Sequence, residues 1–183
     1  PIVVPTEVSI VGDNLRTSRI KPAVGDAHYQ VLDLANAPQS TWTATFATYN
    51  TSTGDITISG FSQGPGSGNT ALANAGMEVY MTPGSYLTAP TWTLVGSATV
   101  NLTPAAATGY CAVSGVTIPA GGTVGIWVGL TSGTVQYTNG FGIPGVSAWA
   151  SDANLTVTEG HGGTYPNGVQ FSPRNWNGTV HYG

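Results

Sequence analysis

Charge is what this sequence has least of. Asp, Glu, Lys and Arg make up 7% of the chain, against roughly 25% in an ordinary soluble domain, and only four residues are basic. Nucleic acid is bound by clustered Lys and Arg that displace counterions from phosphates. A chain with net charge −4 offers no such footprint, so no nucleic-acid partner is expected. Cysteine is nearly absent too. Cys111 stands alone, which excludes an intramolecular disulfide and leaves packing to hold the fold. No stretch of about 18 apolar residues occurs, so no membrane insertion is expected. The lack of charge does not signal disorder, because disordered chains are also poor in aromatic and β-branched residues, whereas this one has five Trp, eight Tyr and recurrent Val, Ile and Thr.

What is present is alternation. Trp92, Leu94, Gly96, Ala98, Val100 and Leu102 fall on one side of a period of two, with Thr93, Val95, Ser97, Thr99 and Asn101 on the other. Trp42, Ala44, Phe46 and Thr48 repeat the pattern, as do Ile56 and Ile58 against Thr57 and Ser59. Such alternation marks strands with one buried and one wet face. Turn signals separate the runs, at residues 52–55, 119–122 and 131–133, and at Asn139-Gly140, Asn167-Gly168 and Asn177-Gly178; Gly and Asn tolerate the positive φ that tight turns require. No window shows a capped helical stripe, and Asp26 to Leu34 holds at most one short turn. Ten to twelve short strands are expected, with an exposed loop over residues 62–76. The fold class expected is all-β, an antiparallel sandwich of jelly-roll type with an extended N-terminal arm. The division expected is an arm at residues 1–21 and one sandwich domain at 22–183.

The arm has its own character. Ile2, Val4, Val8 and Ile10 lie on one face, and Pro5 disfavours a central place in a sheet because it cannot donate to the ladder. Two readings stand: an edge strand of its own sandwich, or a strand added to a neighbouring subunit's sheet. Arg16, Arg19 and Lys21 follow closely, while residues 22–183 carry six acids against Arg174 alone. A basic arm thus faces an acidic body. These seven residues, Ile2, Val4, Val8, Ile10, Arg16, Arg19 and Lys21, are the expected subunit contacts.

Catalytic chemistry is hard to find. His28, His161 and His181 show no zinc-ligand spacing, and no Gly-x-Ser-x-Gly elbow occurs. Cys111 sits in an alternating run that buries it as a small apolar side chain. No spacing selects a pair of carboxylates for glycoside hydrolysis. Asp152 and Asn154 fit an Asx-type turn better than the six to eight ligands of a Ca²⁺ site. No enzyme, cofactor or metal is therefore expected. Tyr86, Tyr110, Tyr137, Trp149 and Tyr165 are available to stack on sugar rings or to pack between strands.

The last third adds a resemblance. "YTNGFG" (137–142), "SDANLTVTEGHGGTYPNG" (151–168) and "FSPRNWNGTVHY" (171–182), with "WTLVGSATV" (92–100) and "VTIPAGGTVGIWV" (116–128) upstream, resemble a β-sandwich module of secreted bacterial surface proteins, over about residues 41–183. The resemblance implies an extracellular or cell-surface, non-catalytic role. It carries over no binding residues, and the N-terminal arm has no counterpart in it. Within the ending, Arg174 is expected to act as a structural lock, stacking on an aromatic ring and bonding to carbonyls, with Phe171 and Trp176 around its stem.

The function expected is a secreted structural protein that self-associates as a homopolymer, a filament, tube or surface layer, by N-terminal strand addition. The alternative is a carbohydrate-binding or adhesive module with polysaccharide as partner.

Overall fold

The computed structural model describes residues 18–20, 27–32, 42–165 and 170–183, and all regular elements among them are strands. The chain is all-β, and its two antiparallel sheets enclose one core. The smaller sheet runs in the order β1 (Ser18–Ile20), β2 (Ala27–Leu32), β14 (Gly178–Tyr182), β4 (Ile56–Gln63) and β7 (Gly109–Ile118). The larger runs β6 (Thr93–Leu102), β5 (Leu72–Pro83), β8 (Thr123–Leu130), β3 (Trp42–Asn50), β12 (Gly160–Thr164), β13 (Gln170–Asn175) and β9 (Thr138–Asn139). Strand β11 (Leu155–Thr158), paired with β10 (Ala148–Ser151), occupies the other half of β3.

The alternation seen in the sequence is what fills the core. Phe46 and Ile126 from the large sheet meet Ile58, Phe61 and Val180 from the small one, all fully buried. Ile56 and Ile58 point inward while Thr57 and Ser59 stay exposed. Cys111 is buried as a small apolar side chain. At the centre, Trp176 stacks on Phe46 with ring centroids 5.1 Å apart and planes at 17°. It meets Phe61 edge-on at 5.8 Å and donates its indole N–H to Gln63 Oε1 at 2.9 Å. Aromatic pairs of this kind add about 0.5–1.5 kcal/mol beyond their buried area.

Several expectations are corrected by long-range pairing. Asn177-Gly178 is no hairpin turn: the chain leaves β13 of the large sheet there and enters β14 of the small one. A Cβ on Gly178 would collide with the Trp176 ring and lie 2.5 Å from the Ser62 carbonyl oxygen, so the crossing requires glycine. The face assigned to β6 holds only in its second half. Its register against β5 shifts between Val79↔Gly96 and Tyr80↔Leu94, a bulge that reverses the side-chain phase. Leu94 is consequently 50% exposed and Val95 packs on the core. Within Asp26 to Leu34, where at most one short helical turn is expected, residues 27–32 form β2. The loop expected over 62–76 is shorter, since Ser62 and Gln63 end β4 and Leu72 begins β5; Gln136 Oε1 accepts from the backbone N–H of Gly68 and Asn69 within it.

Candidate functional site

The long strand opposite β3 is interrupted at Glu159, between β11 and β12. That break turns a carboxylate, 2% exposed, toward the loop 140–147. Oε2 of Glu159 accepts the backbone N–H of Phe141 at 2.9 Å and of Gly142 at 2.6 Å. The Glu159 carbonyl accepts from Gly145 at 2.7 Å, and its own N–H donates to the Ser147 carbonyl at 2.8 Å. Ser147 closes the loop on itself, its Oγ accepting from Ile143 N–H at 2.9 Å, and its N–H donating to the Ile143 carbonyl at 2.8 Å. Tyr49 secures the tip by donating to the Gly145 carbonyl at 2.7 Å. Every turn of this backbone is tied.

The side chains this rigid loop presents are apolar. Phe141 is 73% exposed, Ile143 64% and Val146 61%, and Leu87, whose side chain lies against Gly145, is 48% exposed. Single exposed apolar residues are ordinary, but several clustered on a pinned support mark an interaction surface, because a preorganised loop has little ordering entropy left to lose on binding. Strand period gives no sign of this surface. Its signal is "FGIPGV" (141–146), large apolar residues set among Gly and Pro where no strand period can bury them.

The expected subunit contacts are divided by the structure. Arg19 lies in β1, opposite Val31 of β2; Ile2, Val4, Val8, Ile10, Arg16 and Lys21 lie outside the described residues. Ser18–Ile20, near the end of the expected arm, is thus the outermost strand of the small sheet among the described residues. Four further strands carry a single partner among the described residues: β7 pairs only with β4, β6 only with β5, β9 only with β13 and β10 only with β11.

Arg174 lies against the ring of Tyr137. Its guanidinium carbon stands 5.1 Å from the centre of the Tyr137 ring, and one terminal nitrogen donates to the Pro173 carbonyl at 2.8 Å. Trp176 is turned into the core instead, and Phe171 is 36% exposed. The backbone near Arg174 pairs with Asn139 of β9, so the contact with Tyr137 joins β13 to the segment leading into that strand.

Titratable groups are engaged in structure. Asp152 Oδ1 accepts from the backbone of Asn154 and Leu155, both at 2.8 Å, forming the expected Asx turn, while Oδ2 accepts the Tyr182 hydroxyl at 2.6 Å. Burial, followed by this bond, pushes the Tyr182 phenol well above its usual range. His161 meets the Tyr86 ring edge-on at 5.7 Å, and burial lowers its pKa. His181 Nε2 lies 2.8 Å from Ser62 Oγ, but Ser62 is buried and closed to a substrate. Among the described residues no three His, Cys, Asp or Glu side chains gather as a metal site. Of the five rings considered for sugar stacking, Tyr86, Tyr137 and Trp149 belong to the buried set, leaving Tyr110 exposed and Tyr165 half-buried.

Against known proteins, no family model matches the sequence, no curated protein matches it, and no solved structure matches the fold. The likeness to the bacterial surface module rests on the quoted motifs alone.

Proposed function

We propose that this protein is a secreted, non-catalytic structural subunit that associates with copies of itself outside the cell, building a filament, tube or surface layer. The observation that carries this reading is the pinned apolar surface of Phe141, Ile143, Val146 and Leu87. The connector in this reading is the N-terminal segment, whose apolar residues Ile2, Val4, Val8 and Ile10 add a strand to a sheet edge of the next subunit. Edge strands such as β6 and β7 supply backbone groups of the kind that strand addition uses. Residues 1–17 reach at most about 55 Å when extended, at roughly 3.3 Å per residue, enough to leave one sandwich and enter another. A contact between different surfaces of successive copies propagates as an open filament unless rotation closes it, and a net charge of −4 opposes such association only weakly.

Electron microscopy of the purified protein over a range of concentrations tests this. Regular fibres, tubes or sheets are expected from the parent chain. Removing residues 1–11 abolishes them and leaves folded monomers. Ile143→Asp forfeits about 1.5–3 kcal/mol of apolar burial per contact and raises the concentration needed for assembly roughly tenfold to a hundredfold. Single compact particles at every concentration refute the reading.

A further inference from the structure

Glu78 and Tyr80 stand two residues apart on β5 and so share the outer face of the large sheet. Opposite them on β8 are Gly129 and Trp127. A Cβ on Gly129 would run into the six-membered ring of Trp127, so the indole lies flat over the glycine. Tyr80 stands edge-on to that indole, centroids 4.8 Å apart and planes at 83°. Tyr165, just beyond β12, meets the same indole at 5.9 Å and 46°. Both phenols donate to the same carboxylate oxygen, Glu78 Oε2, Tyr80 at 2.9 Å and Tyr165 at 3.0 Å. The two tyrosines lie 85 residues apart in sequence, and only the sheet brings them together.

Glu78 Oε1 accepts no hydrogen bond from the described residues, and the side chain is half-exposed. The phenols stay protonated, since the bond to Glu78 raises the Tyr165 pKa, and burial followed by the same bond raises that of Tyr80. The result is a fixed cluster of acceptors, a carboxylate whose Oε2 is held between two phenolic oxygens and whose Oε1 accepts from no described residue, bordered by half-exposed ring surface and by Leu94, which sits across from Tyr80.

We propose that this face binds neutral polysaccharide. Two adjacent hydroxyls of one sugar unit donate to Glu78 Oε1 and to a phenolic oxygen, and the apolar face of the pyranose rests on Tyr165. A cationic side chain is the competing ligand, and the geometry disfavours it. An ammonium cage needs several ring faces turned to one point, but Trp127 is only 7% exposed and has Tyr80 standing edge-on to it. One such site binds weakly, and repetition along an assembly multiplies the affinity through effective concentration. The proposal itself does not depend on self-association.

Affinity electrophoresis through gels containing dextran, galactomannan or xyloglucan provides the test, with calorimetric titration of any polysaccharide that retards the protein. The result expected is retardation by at least one of the three, weakened at least tenfold in Glu78→Gln and in Tyr165→Ala, with thermal melting of both variants close to the parent. Thr57→Ala, exposed on β4 of the small sheet, leaves retardation unchanged. No retardation by any of the three overturns the proposal, as does retardation that both site variants retain. A synthetic peptide of residues 12–22, carrying Arg16, Arg19 and Lys21, is titrated in parallel. Glu78-dependent binding of that peptide without sugar binding assigns the site to a cation instead.

Discussion

Removing the charge of Glu159 while keeping its shape isolates what the buried carboxylate does for the apolar loop. It holds two backbone N–H groups, of Phe141 and Gly142, at 2.9 and 2.6 Å. Hydrogen bonds to a charged group are worth about 1.5–3 kcal/mol and neutral ones about 0.5–1.5 kcal/mol. Glu159→Gln, with its amide oxygen in the place of Oε2, therefore weakens each bond by about 1 kcal/mol, or about 2 kcal/mol for the pair. Glu159→Ala removes both acceptor contacts, at a cost of about 3–5 kcal/mol. At about 2–4 °C per kcal/mol for a domain of this size, the glutamine variant melts lower by about 4–8 °C if the loss is felt globally. Hydrogen exchange separates a local effect from a global one. The amides of Phe141 and Gly142 exchange about thirtyfold faster in Glu159→Gln if the full 2 kcal/mol appears as local opening. Assembly weakens as well, although no apolar side chain has changed. Unaltered exchange at both amides would refute the claim that the carboxylate preorganises the loop.

Arg174→Met should move stability by no more than about 1 kcal/mol, because the ring contact with Tyr137 contributes about 0.5–2 kcal/mol and the substitution relieves a buried Nε that has no hydrogen-bond partner among the described residues; a loss above 3 kcal/mol in denaturant unfolding would contradict this. Arg174→Ala, which also removes the stem, should be the less stable of the two. Burial lowers the His161 pKa below its usual 6.5, so the unfolded chain takes up a proton first, and stability present above pH 6.5 declines as the pH falls below it. Melting curves from pH 7.5 to 5 should show that decline, and His161→Gln should flatten it. Burial raises the Tyr86 and Tyr182 phenols far above 10, so the unfolded state loses those protons first and stability falls as pH rises through 10. Ultraviolet titration should find both rings un-ionised until the protein unfolds, and Tyr182→Phe should remove one of the late steps.

How much was legible depends on whether the signal was local. The pleat of a strand sends successive side chains to opposite faces, so the inward set of β4 could be read from Ile56 and Ile58, and the burial of Cys111 from its alternating run. The expectation of no nucleic-acid partner rested on low charge alone, without reference to any fold. Strand pairing is a long-range matter, and there the sequence misled. The bulge that exposes Leu94 is set by the register of β6 against β5. Asn177-Gly178 has a turn's composition, yet it carries the chain between sheets because Trp176 anchors in the core beside Phe46.

The surfaces on which the function is proposed divide in the same way. The sequence alone determined an all-β chain of low charge, with apolar alternation at its N-terminus, because these are properties of composition and of period two. Only the tertiary structure decided that Glu159 would brace an apolar loop 17 to 18 residues away, and that Tyr165 would share a carboxylate oxygen with Tyr80 across the large sheet. Such meetings are set by the order and register of paired strands, which depend on which faces the whole core must bury together.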